Sequence, residues 1–393
     1  MPACYGPAMD TLDNLLGPAE KAVIAQAGAF ARDHVAPFAQ AWGDEKRLPL
    51  ETLQRACAEG LCDIELATSL GGKGMGFAVK LLAIEAMARH DMGFTFSWVN
   101  HLNALARIAR DAKGDTSQLI AEMRAGQRIG CAALTEPGAG SDFGAIKTRA
   151  EKSGDGWVLN GAKAWITNAA VAGVAVCYAQ TDPAQGWRGI AAFLVRAERP
   201  GFVREAPFRL HGGHAIGAGG FRLENYRCAG DDLLQPPGAG FKSALQGING
   251  ARTYVAAMCN AMLGEAIRVA VRYGRQRQIF GKPILDHQGQ RWILADAATE
   301  LEAARLLTYR AARIIHEGGD AELAAAFAKK FAVGVAQRHL AACIQFMGAE
   351  GLKTIYPLSR HLACAKLAAY TDGSTEIQNE RIGRALPELF DGA

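Results

Sequence analysis

A short segment around Thr135 has residue types that suit ligand binding. In CAALTEPGAGSDFGAIKT, residues 131–148, Pro137 and its neighbouring glycines prevent regular strand pairing. Backbone N–H groups after the strand are then able to face an anion or the edge of a ring. The hydroxyls of Thr135 and Ser141 add donors for a ring nitrogen or a phosphate oxygen. A Pro-Gly turn between strands is also commonplace, so this segment alone leaves a purely structural interpretation open.

The hydrophobic pattern predicts that this segment lies in a β-rich region between two helical regions. From about residue 18 to 128 apolar residues recur at helical spacing, which indicates an amphipathic helix bundle. Short β-type runs then alternate with glycine turns, and long periodic segments return after Pro236, Pro237 and Gly238. We therefore predict a mainly α fold with a central β-domain, divided into residues 1–128, 129–236 and 237–393.

Individual elements can be predicted within these regions. The pattern predicts helices over Leu50 to Glu59, Ala78 to Ala88, Phe241 to Tyr273, Leu285 to Glu317, Ala321 to Met347 and Glu376 to Arg384. It predicts separate strands over Trp157 to Asn160, Ala164 to Thr167, Val174 to Gln180 and Ile190 to Val195.

Composition narrows the class of protein. A chain of 393 residues predicts two or three packed subdomains. The longest uncharged run, residues 164–181, is interrupted by polar residues, and the N-terminus lacks a basic region followed by an apolar run. Nine cysteines without a C-x-x-C pair favour reduced thiols and a cytoplasmic location. A net charge of +4 is too weak for a nucleic-acid footprint, and we expect neither a nucleic-acid partner nor a membrane.

A second segment, NGAKAWITNA at residues 160–169, makes a family resemblance specific. Together with the segment at residues 131–148, in this order and spacing, it resembles the acyl-CoA dehydrogenase family, and the resemblance extends over nearly the whole chain. It implies an N-terminal helix bundle, a middle β-barrel-like domain, a C-terminal four-helix bundle and FAD as cofactor.

The resemblance implies which residues hold the flavin. In the family the first segment lies along the flavin, and the tryptophan-isoleucine-threonine run covers the isoalloxazine ring. An aromatic face and a hydroxyl suit such a ring, although Trp165 as a core residue of a β-domain is the alternative. The implied contacts are Ala132, Ala133, Leu134, Thr135, Gly140, Ser141, Trp165, Ile166 and Thr167.

Further cofactor contacts are implied by the C-terminal region. YGRQRQIFGKPILDHQGQ, residues 273–290, is similar to the family segment in which an arginine and a phenylalanine reach the FAD of a neighbouring subunit. This resemblance implies at least a dimer, and we expect a homotetramer. IQFMGAEG matches the family turn at the adenine half, although the family usually has glycine where Ala349 stands. The implied contacts are Arg277, Phe280, His287, Gln288, Gln345, Ala349, Ser374 and Glu376.

The resemblance also implies a catalytic carboxylate. Family members remove the α proton of an acyl thioester with a glutamate, a task that suits a buried carboxylate with a raised pKa. Here AYTDGSTEIQNERIGRAL places Asp372 at that position. Asp-Gly is also a common turn pair, so Asp372 as a helix cap is an alternative interpretation. Another family branch places its base before the arginine of the substrate segment, but Ala251 precedes Arg252 and cannot act. Asp91 is the alternative base, as in relatives that act on cyclic acyl-CoAs.

The expected substrate differs from an ordinary fatty acyl group. Aspartate withdraws the carboxylate by about 1 Å relative to glutamate, a shift large enough to require compensation or a different substrate. Aromatic residues at positions 94, 96 and 98 indicate a short or compact acyl group, although ordinary core packing explains them equally well. The positions that touch acyl-CoA in relatives are Ser141, Asn249, Arg252 and Gly373.

We therefore expect FAD-dependent α,β-dehydrogenation of a short or compact acyl-CoA, with electrons passed to an electron-transfer flavoprotein. Two alternatives share the fold. One is a flavin oxidase similar to nitroalkane oxidase, which uses aspartate as its base, and the other is a dehydrogenase of a carrier-protein-bound acyl group.

Overall fold

The computed structural model describes residues 14–391 together with Leu12. Within this part the chain runs through helices, then strands, then helices, in the predicted order. Predictions that concern residues 1–11, 13, 392 and 393, including Cys4, lie outside the described residues. The described cysteines are free and buried, as predicted for packed thiols.

Most of the N-terminal helices pack into one buried cluster with the C-terminal helices, whereas the last of them packs with residues of the sheet. They are α1 (Pro18–Phe30), which continues as a π-helical turn over Ala31–Val35, then α2 (Ala39–Asp44), α3 (Leu50–Ala58), α4 (Phe77–Ala88), α5 (Met92–Asp111) and α6 (Ser117–Arg124). Proline is tolerated at the start of α1, since the first N–H groups of a helix have no partner within it. Helix α4 is buried on all sides, which explains its continuous apolar sequence.

The middle of the chain forms one eight-stranded sheet. Its strands are β1 (Gly130–Ala133), β2 (Arg149–Ser153), β3 (Gly156–Ile166), β4 (Val174–Gln180), β5 (Ile190–Arg196), β6 (Phe202–Arg204), β7 (Gly219–Cys228) and β8 (Leu233–Gln235). The order is β6-β7-β3-β2-β4-β5-β8, and β1 pairs in parallel with β4. The sheet therefore places the end of β1 and the end of β3 near each other, with α5 packed against β1.

One strand prediction was wrong. We expected two strands separated by Gly161, but β3 runs without interruption through this residue. Gly161 has φ of 154°, and the pairing of β3 with β7 shifts register between Leu159 and Gly161. A Cβ atom at Gly161 would lie 2.5 Å from the Thr148 hydroxyl oxygen, so glycine permits a bulge where a side chain would collide.

The C-terminal region consists of long helices around α7. They are α7 (Ala239–Gln276), α8 (Gln288–His316), α9 (Glu322–Met347), α10 (Leu358–Ala368) and α11 (Thr375–Phe390), with a hairpin of β9 (Gln278–Ile279) and β10 (Lys282–Pro283) between α7 and α8. Helix α7 is long and apolar enough to cross a membrane by these two criteria alone. However, 72% of its most apolar stretch is buried inside the protein, where it packs against α4, α8 and α9 as a core helix does.

Candidate active site

A cavity of about 870 Å³ lies where the two helical regions and the sheet meet. Helix α5 forms one side, and the end of β1 with its following turn forms another. Helix α7 and the turn before α11 close the rest. The cavity wall includes residues from three segments that the sequence indicated as binding or catalytic, those around Thr135, Trp165 and Asp372.

Strand β1 is fixed to α5 by side chains of that helix. The N–H of Gly130 donates to His101 Nδ1 at 2.9 Å, and the N–H of Ala132 donates to Asn100 Oδ1 at 3.3 Å. His101 Nε2 lies 3.0 Å from the carbonyl oxygen of Met123, so both ring nitrogens are occupied and the imidazole is neutral. The start of the predicted flavin segment therefore has a fixed position relative to α5.

A buried ion pair anchors the turn after β1. Glu136 and Lys163 are almost completely buried, and Lys163 Nζ lies 2.8 Å from Glu136 Oε1. The same ammonium donates to the Leu134 carbonyl oxygen, while the N–H groups of Lys147 and Thr148 donate to the carboxylate. Burial favours the neutral acid, but Lys163 and these hydrogen bonds outweigh it and lower the pKa of Glu136. Glu136 is thus committed to holding the turn as a charged group.

Trp165 presents an exposed aromatic ring to the cavity. It has φ of 59°, a conformation that is a genuine outlier for a bulky residue, and 62% of its surface is exposed. Its ring lies 4.6 Å from that of Phe208, centroid to centroid. Trp165 is therefore not the buried core residue that sequence analysis kept as an alternative, and its exposed face is available to another flat group.

The cavity wall matches the chemistry of an isoalloxazine ring. The aromatic face of Trp165 suits the apolar part of such a ring, and the hydroxyls of Thr135 and Thr167 suit its polar edge. Of the predicted flavin contacts in the first two segments, Ala133 is buried in the sheet core and does not line the cavity. Those that do are Ala132, Leu134, Thr135, Gly140, Ser141, Trp165, Ile166 and Thr167.

Asp372 lies in the turn that leads into α11. It has φ of 52° and Gly373 has φ of 90°, so two consecutive residues are left-handed. A Cβ atom at Gly373 would lie 2.9 Å from Gln378 Nε2, so the turn requires glycine there. Ser374 is the N-cap of α11, since its hydroxyl accepts from the N–H of Ile377. The interpretation of Asp372 as a helix cap is therefore wrong.

The Asp372 carboxyl group borders the cavity but is buried from solvent. The residue lines the cavity, yet its Oδ2 atom is buried and has no hydrogen-bond partner among the described residues. Burial raises the pKa of Asp372, and the positive charges of Lys329 and Arg252 partly oppose this rise. A carboxylate in this state is available as a proton acceptor.

Two cations support the turn that contains Asp372. Lys329, on α9, is buried and donates to the carbonyl oxygens of Thr371 and Gly373. Burial lowers the pKa of Lys329 to about 8, although the nearby Asp372 opposes that change. Arg252 donates to the carbonyl oxygen of Asp372 at 3.2 Å. The backbone on both sides of the carboxylate is thus held by positive charge.

The predicted substrate contacts fall into two sets. Ser141 and Gly373 line the cavity, whereas Asn249 and Arg252 lie beside its wall. Arg252 is buried, and its Nη1 donates to Asn249 Oδ1 at 2.9 Å. Burial lowers the pKa of Arg252 to about 10. In this arrangement Arg252 orients Asn249 and the Asp372 turn together.

Asp91 occupies a structural position. It is the N-cap of α5 and accepts from the N–H of Phe94 at 2.8 Å. Its other oxygen lies 3.1 Å from Arg360 Nε, and Asp91 does not line the cavity. Burial raises its pKa while Arg360 opposes the rise. These contacts explain why a carboxylate is buried at position 91 without requiring a catalytic role for it.

Most of the remaining predicted cofactor residues do not line this cavity. Phe280 stands at the tip of the β9–β10 hairpin with φ of 49° and 96% of its surface exposed. His287 Nε2 lies 3.0 Å from the Ile279 carbonyl oxygen and so braces the hairpin. Residues that do not line the cavity are Arg277, Phe280, His287, Gln288, Gln345, Ala349 and Glu376, whereas Ser374 does. Their role toward the FAD of a second subunit stays a prediction.

Sequence analysis treated three aromatic residues of α5 alike, but the structure separates them. Phe96 lines the cavity and meets the Tyr254 ring edge-on at 6.1 Å. Phe94 and Trp98 are completely buried in the core and do not reach the cavity. The alternative of ordinary core packing is correct for these two. Residues four positions apart share one face of a helix, whereas Phe96, two positions from each, lies on a different face.

Several contributors were missed by sequence analysis. Lys163 and Lys329 are buried ammonium groups that hold the two key turns, and His101 fixes β1. A lysine inside an otherwise apolar strand or helix was the available signal, because such a residue is rarely buried without a specific partner. The partners themselves are distant in sequence.

Comparison with known proteins matches the described regions to three family models. Residues 17–118 match the acyl-CoA dehydrogenase N-terminal domain, residues 131–226 the middle domain and residues 238–386 the C-terminal domain. The human mitochondrial short-chain specific acyl-CoA dehydrogenase is 34% identical over 351 residues, which cover 89% of this chain and 85% of that protein.

Solved structures give the same result. A chain from the electron transferring flavoprotein study of Acidaminococcus fermentans superimposes with a TM-score of 0.90 at 31% identity, covering 94% of this chain and 98% of that chain. Glutaryl-CoA dehydrogenase of Mycobacterium smegmatis in complex with FADH2 superimposes with a TM-score of 0.89 at 27% identity, covering 96% of each chain.

Proposed function

The chain belongs to the acyl-CoA dehydrogenase family, and we propose that it dehydrogenates a short or compact acyl-CoA with Asp372 as the base. The enzyme is an FAD-dependent oxidoreductase acting on a CH–CH bond. FAD supplies the acceptor for the hydride that leaves the β carbon.

The observation that carries the assignment of Asp372 is its unpartnered, buried Oδ2 atom beside the cavity. Desolvation strengthens a carboxylate as a base toward a carbon acid, and a raised pKa is the corresponding signature. The positive charges of Lys329 and Arg252 oppose this rise in the pKa of Asp372. Asp372 accepts the α proton while the β hydrogen departs as hydride.

The thioester oxygen needs a donor as enolate charge develops on it. Among the described residues, the N–H of Asp372 donates to no backbone carbonyl oxygen. Because Gly373 carries no side chain, a thioester approaches this stretch of backbone closely. We therefore assign the Asp372 N–H as one donor of the oxyanion site.

A short or compact acyl group fits the cavity wall beyond Asp372. Phe77, Phe96 and Tyr254 line this part and are buried. Bulky aromatic side chains occupy space that a long hydrocarbon tail would need. The substrate class therefore follows from Phe96 and Tyr254, and Phe94 and Trp98 play no part in it.

Substitution of Asp372 by asparagine tests the assignment. We expect Asp372→Asn to retain FAD but to lose anaerobic flavin bleaching and α-proton exchange in deuterated water, with reduction slowed by at least about 10³-fold. Asp91→Asn is the control, and it should lower stability without abolishing flavin reduction. Substantial flavin reduction in Asp372→Asn would show that another residue is the base. Loss of bleaching in Asp91→Asn alone would identify Asp91 as the base.

We further propose that electrons pass to an electron-transfer flavoprotein and that the enzyme acts as a homotetramer in the cytoplasm. The Phe280 hairpin supports assembly, because its aromatic ring is 96% exposed and the family resemblance implies that this segment reaches the FAD of a neighbouring subunit. Reduced enzyme should be reoxidised rapidly by an electron-transfer flavoprotein and slowly by oxygen. Rapid peroxide formation would instead favour a flavin oxidase, and turnover restricted to a loaded carrier protein would favour the carrier-bound substrate.

A further inference from the structure

We propose that the accepted acyl group carries an uncharged oxygen, a hydroxyl or a carbonyl, near its distal end. This inference rests on the proposed function and specifies its substrate class. The oxygen would bind a distal polar site formed by Glu65, Lys80, Asn103 and Tyr254. These four residues line the same cavity as Asp372.

The distal polar site is a connected network. Lys80, on α4, is buried with 5% exposure and forms an ion pair with Glu65. Its ammonium also donates to Asn103 Oδ1 at 3.1 Å, and Asn103 Nδ2 lies 3.3 Å from the Tyr254 hydroxyl oxygen. Charged and amide groups are costly to bury unless they have hydrogen-bonding partners. Their presence there indicates a polar ligand.

Tyr254 connects this network with the catalytic carboxylate. Burial raises the pKa of Tyr254, and the negative charges of Asp372 and Glu65 add to the rise. The hydroxyl is therefore protonated at neutral pH, and it lies within electrostatic reach of both carboxylates. Tyr254 is joined to Lys80 through Asn103, and all three residues line the cavity that Asp372 also lines.

The network contains a donor without an acceptor. The Tyr254 hydroxyl accepts from Asn103, but its own proton has no acceptor among the described residues. Lys80 hydrogen-bonds Glu65 and Asn103, and its ammonium lies 5.1 Å from the centroid of the Phe77 ring. A hydrocarbon tail would exclude water from the Tyr254 hydroxyl without replacing the lost hydrogen bond, which is costly for a buried polar group. An oxygen on the ligand would remove that cost.

Charge balance favours an uncharged oxygen over a carboxylate. The ammonium of Lys80 is already matched by Glu65, and Asp372 adds a second negative charge to the cavity. A distal carboxylate would have to compete with Glu65 for the Lys80 ammonium and would lie close to the Glu65 carboxylate, where burial strengthens the repulsion. The reaction itself leaves the distal oxygen unchanged. The acyl group loses its α proton to Asp372 and its β hydride to FAD, and a Cα=Cβ double bond forms.

The test compares matched acyl-CoA substrates with the FAD-bound enzyme. Anaerobic flavin bleaching is measured for plain, ω-hydroxylated and ω-carboxylated acyl-CoAs of about four to six carbons. We expect kcat/KM for the best hydroxylated substrate to exceed that of its plain equivalent by about tenfold or more, since a site built to bind a hydroxyl rejects the analogue without it. Equal or better bleaching by plain or carboxylated substrates would overturn this inference and leave the proposed function intact. Absence of bleaching by every acyl-CoA would overturn both.

Two variants test whether the distal polar site causes the preference for hydroxylated over plain acyl-CoA. Tyr254→Phe removes the hydroxyl and keeps the ring, and it should reduce the hydroxylated-to-plain ratio of kcat/KM to within about twofold. Lys80→Met should do the same. The control is Lys73→Met, because Lys73 is also a partly buried lysine in an ion pair, with Asp63, but lies outside the cavity. An unchanged ratio in Tyr254→Phe with bound FAD would contradict the proposed contacts.

Discussion

The ammonium group of Lys329 donates to the carbonyl oxygens on both sides of Asp372, those of Thr371 and Gly373. One buried side chain thereby holds the left-handed turn and places a positive charge beside the carboxylate. The pKa of Asp372 is raised by burial, and Lys329 is the first of the two charges that oppose this rise. The conformation of the turn and the pKa of Asp372 therefore both depend on Lys329.

Replacement of Lys329 should change the pH profile of flavin reduction. The wild-type kcat/KM should rise as Asp372 ionises and fall above about pH 8 as Lys329 loses its proton. Lys329→Met should move the acidic limb to higher pH, because loss of a nearby positive charge raises the pKa of a carboxyl group further. The Lys329→Met variant should also lack the fall in kcat/KM above about pH 8. Lys330→Met, at the exposed adjacent position, is the control, and identical profiles for the two variants would refute this role.

Glu136→Gln should weaken both the fold and the retention of FAD. Removal of one partner leaves Lys163 as an unpaired buried charge, so the free energy of unfolding should fall by about 3 kcal/mol. Chemical denaturation and flavin absorbance measure the two effects. Glu151→Gln, at an exposed position of β2, should change neither.

The same carboxylate should make stability depend on pH. The pKa of Glu136 is below its ordinary value of 4.5 in the folded protein, so its contribution is present above that value and is lost as the pH falls toward the folded pKa. The difference in unfolding free energy between wild type and Glu136→Gln should therefore narrow below about pH 4.5. A difference that stays constant on acidification would show that charge is not its origin.

Phe96→Ala should extend the accepted acyl chain. Removal of this ring opens the cavity next to Tyr254, so the best substrate in a series of acyl-CoAs should become longer. The loss of packing should cost about 3–5 kcal/mol of stability. Phe94→Ala is a matched control on the same helix, with a similar stability loss and no change in chain-length preference. A shift with both variants would attribute the effect to general loosening of α5.

Phe280→Ala should impair assembly and FAD retention together. The ring is 96% exposed at the tip of the hairpin, so its removal costs little within one subunit. Sedimentation velocity should show smaller species, and the FAD content after gel filtration should fall. Phe38→Ala removes a half-exposed ring in the N-terminal region and should affect neither measurement. Full assembly with complete FAD content in Phe280→Ala would reject the predicted contact between subunits.

The order of elements and the chemical segments were predictable because they depend on local sequence. Helical periodicity predicted α7 and α9 to within a few residues, and the residues around Thr135 marked the turn after β1. Strand β3 was divided incorrectly, because a glycine between two apolar runs indicates either a turn or a bulge, and only the contact with Thr148 decides between them.

The supporting residues of the site were not predictable in the same way. Lys163 and Glu136 are separated by 27 positions, and Lys329 meets the Asp372 turn from 42 and 44 positions away. Such pairs depend on how helices and strands pack, and no local pattern specifies them. The same reason explains why Phe96 was not distinguished from Phe94.

The Lys80–Glu65 pair constrains how substrate preference changes over evolution. Loss of either partner alone leaves an uncompensated charge in a largely enclosed wall, so single replacements pass through a destabilised protein. A descendant enzyme for purely hydrocarbon chains would have to replace both residues, through a compensated double change or after stabilising substitutions elsewhere. Preference at this end of the cavity should therefore change slowly and in correlated steps, whereas Phe96 has no charged partner that must change with it.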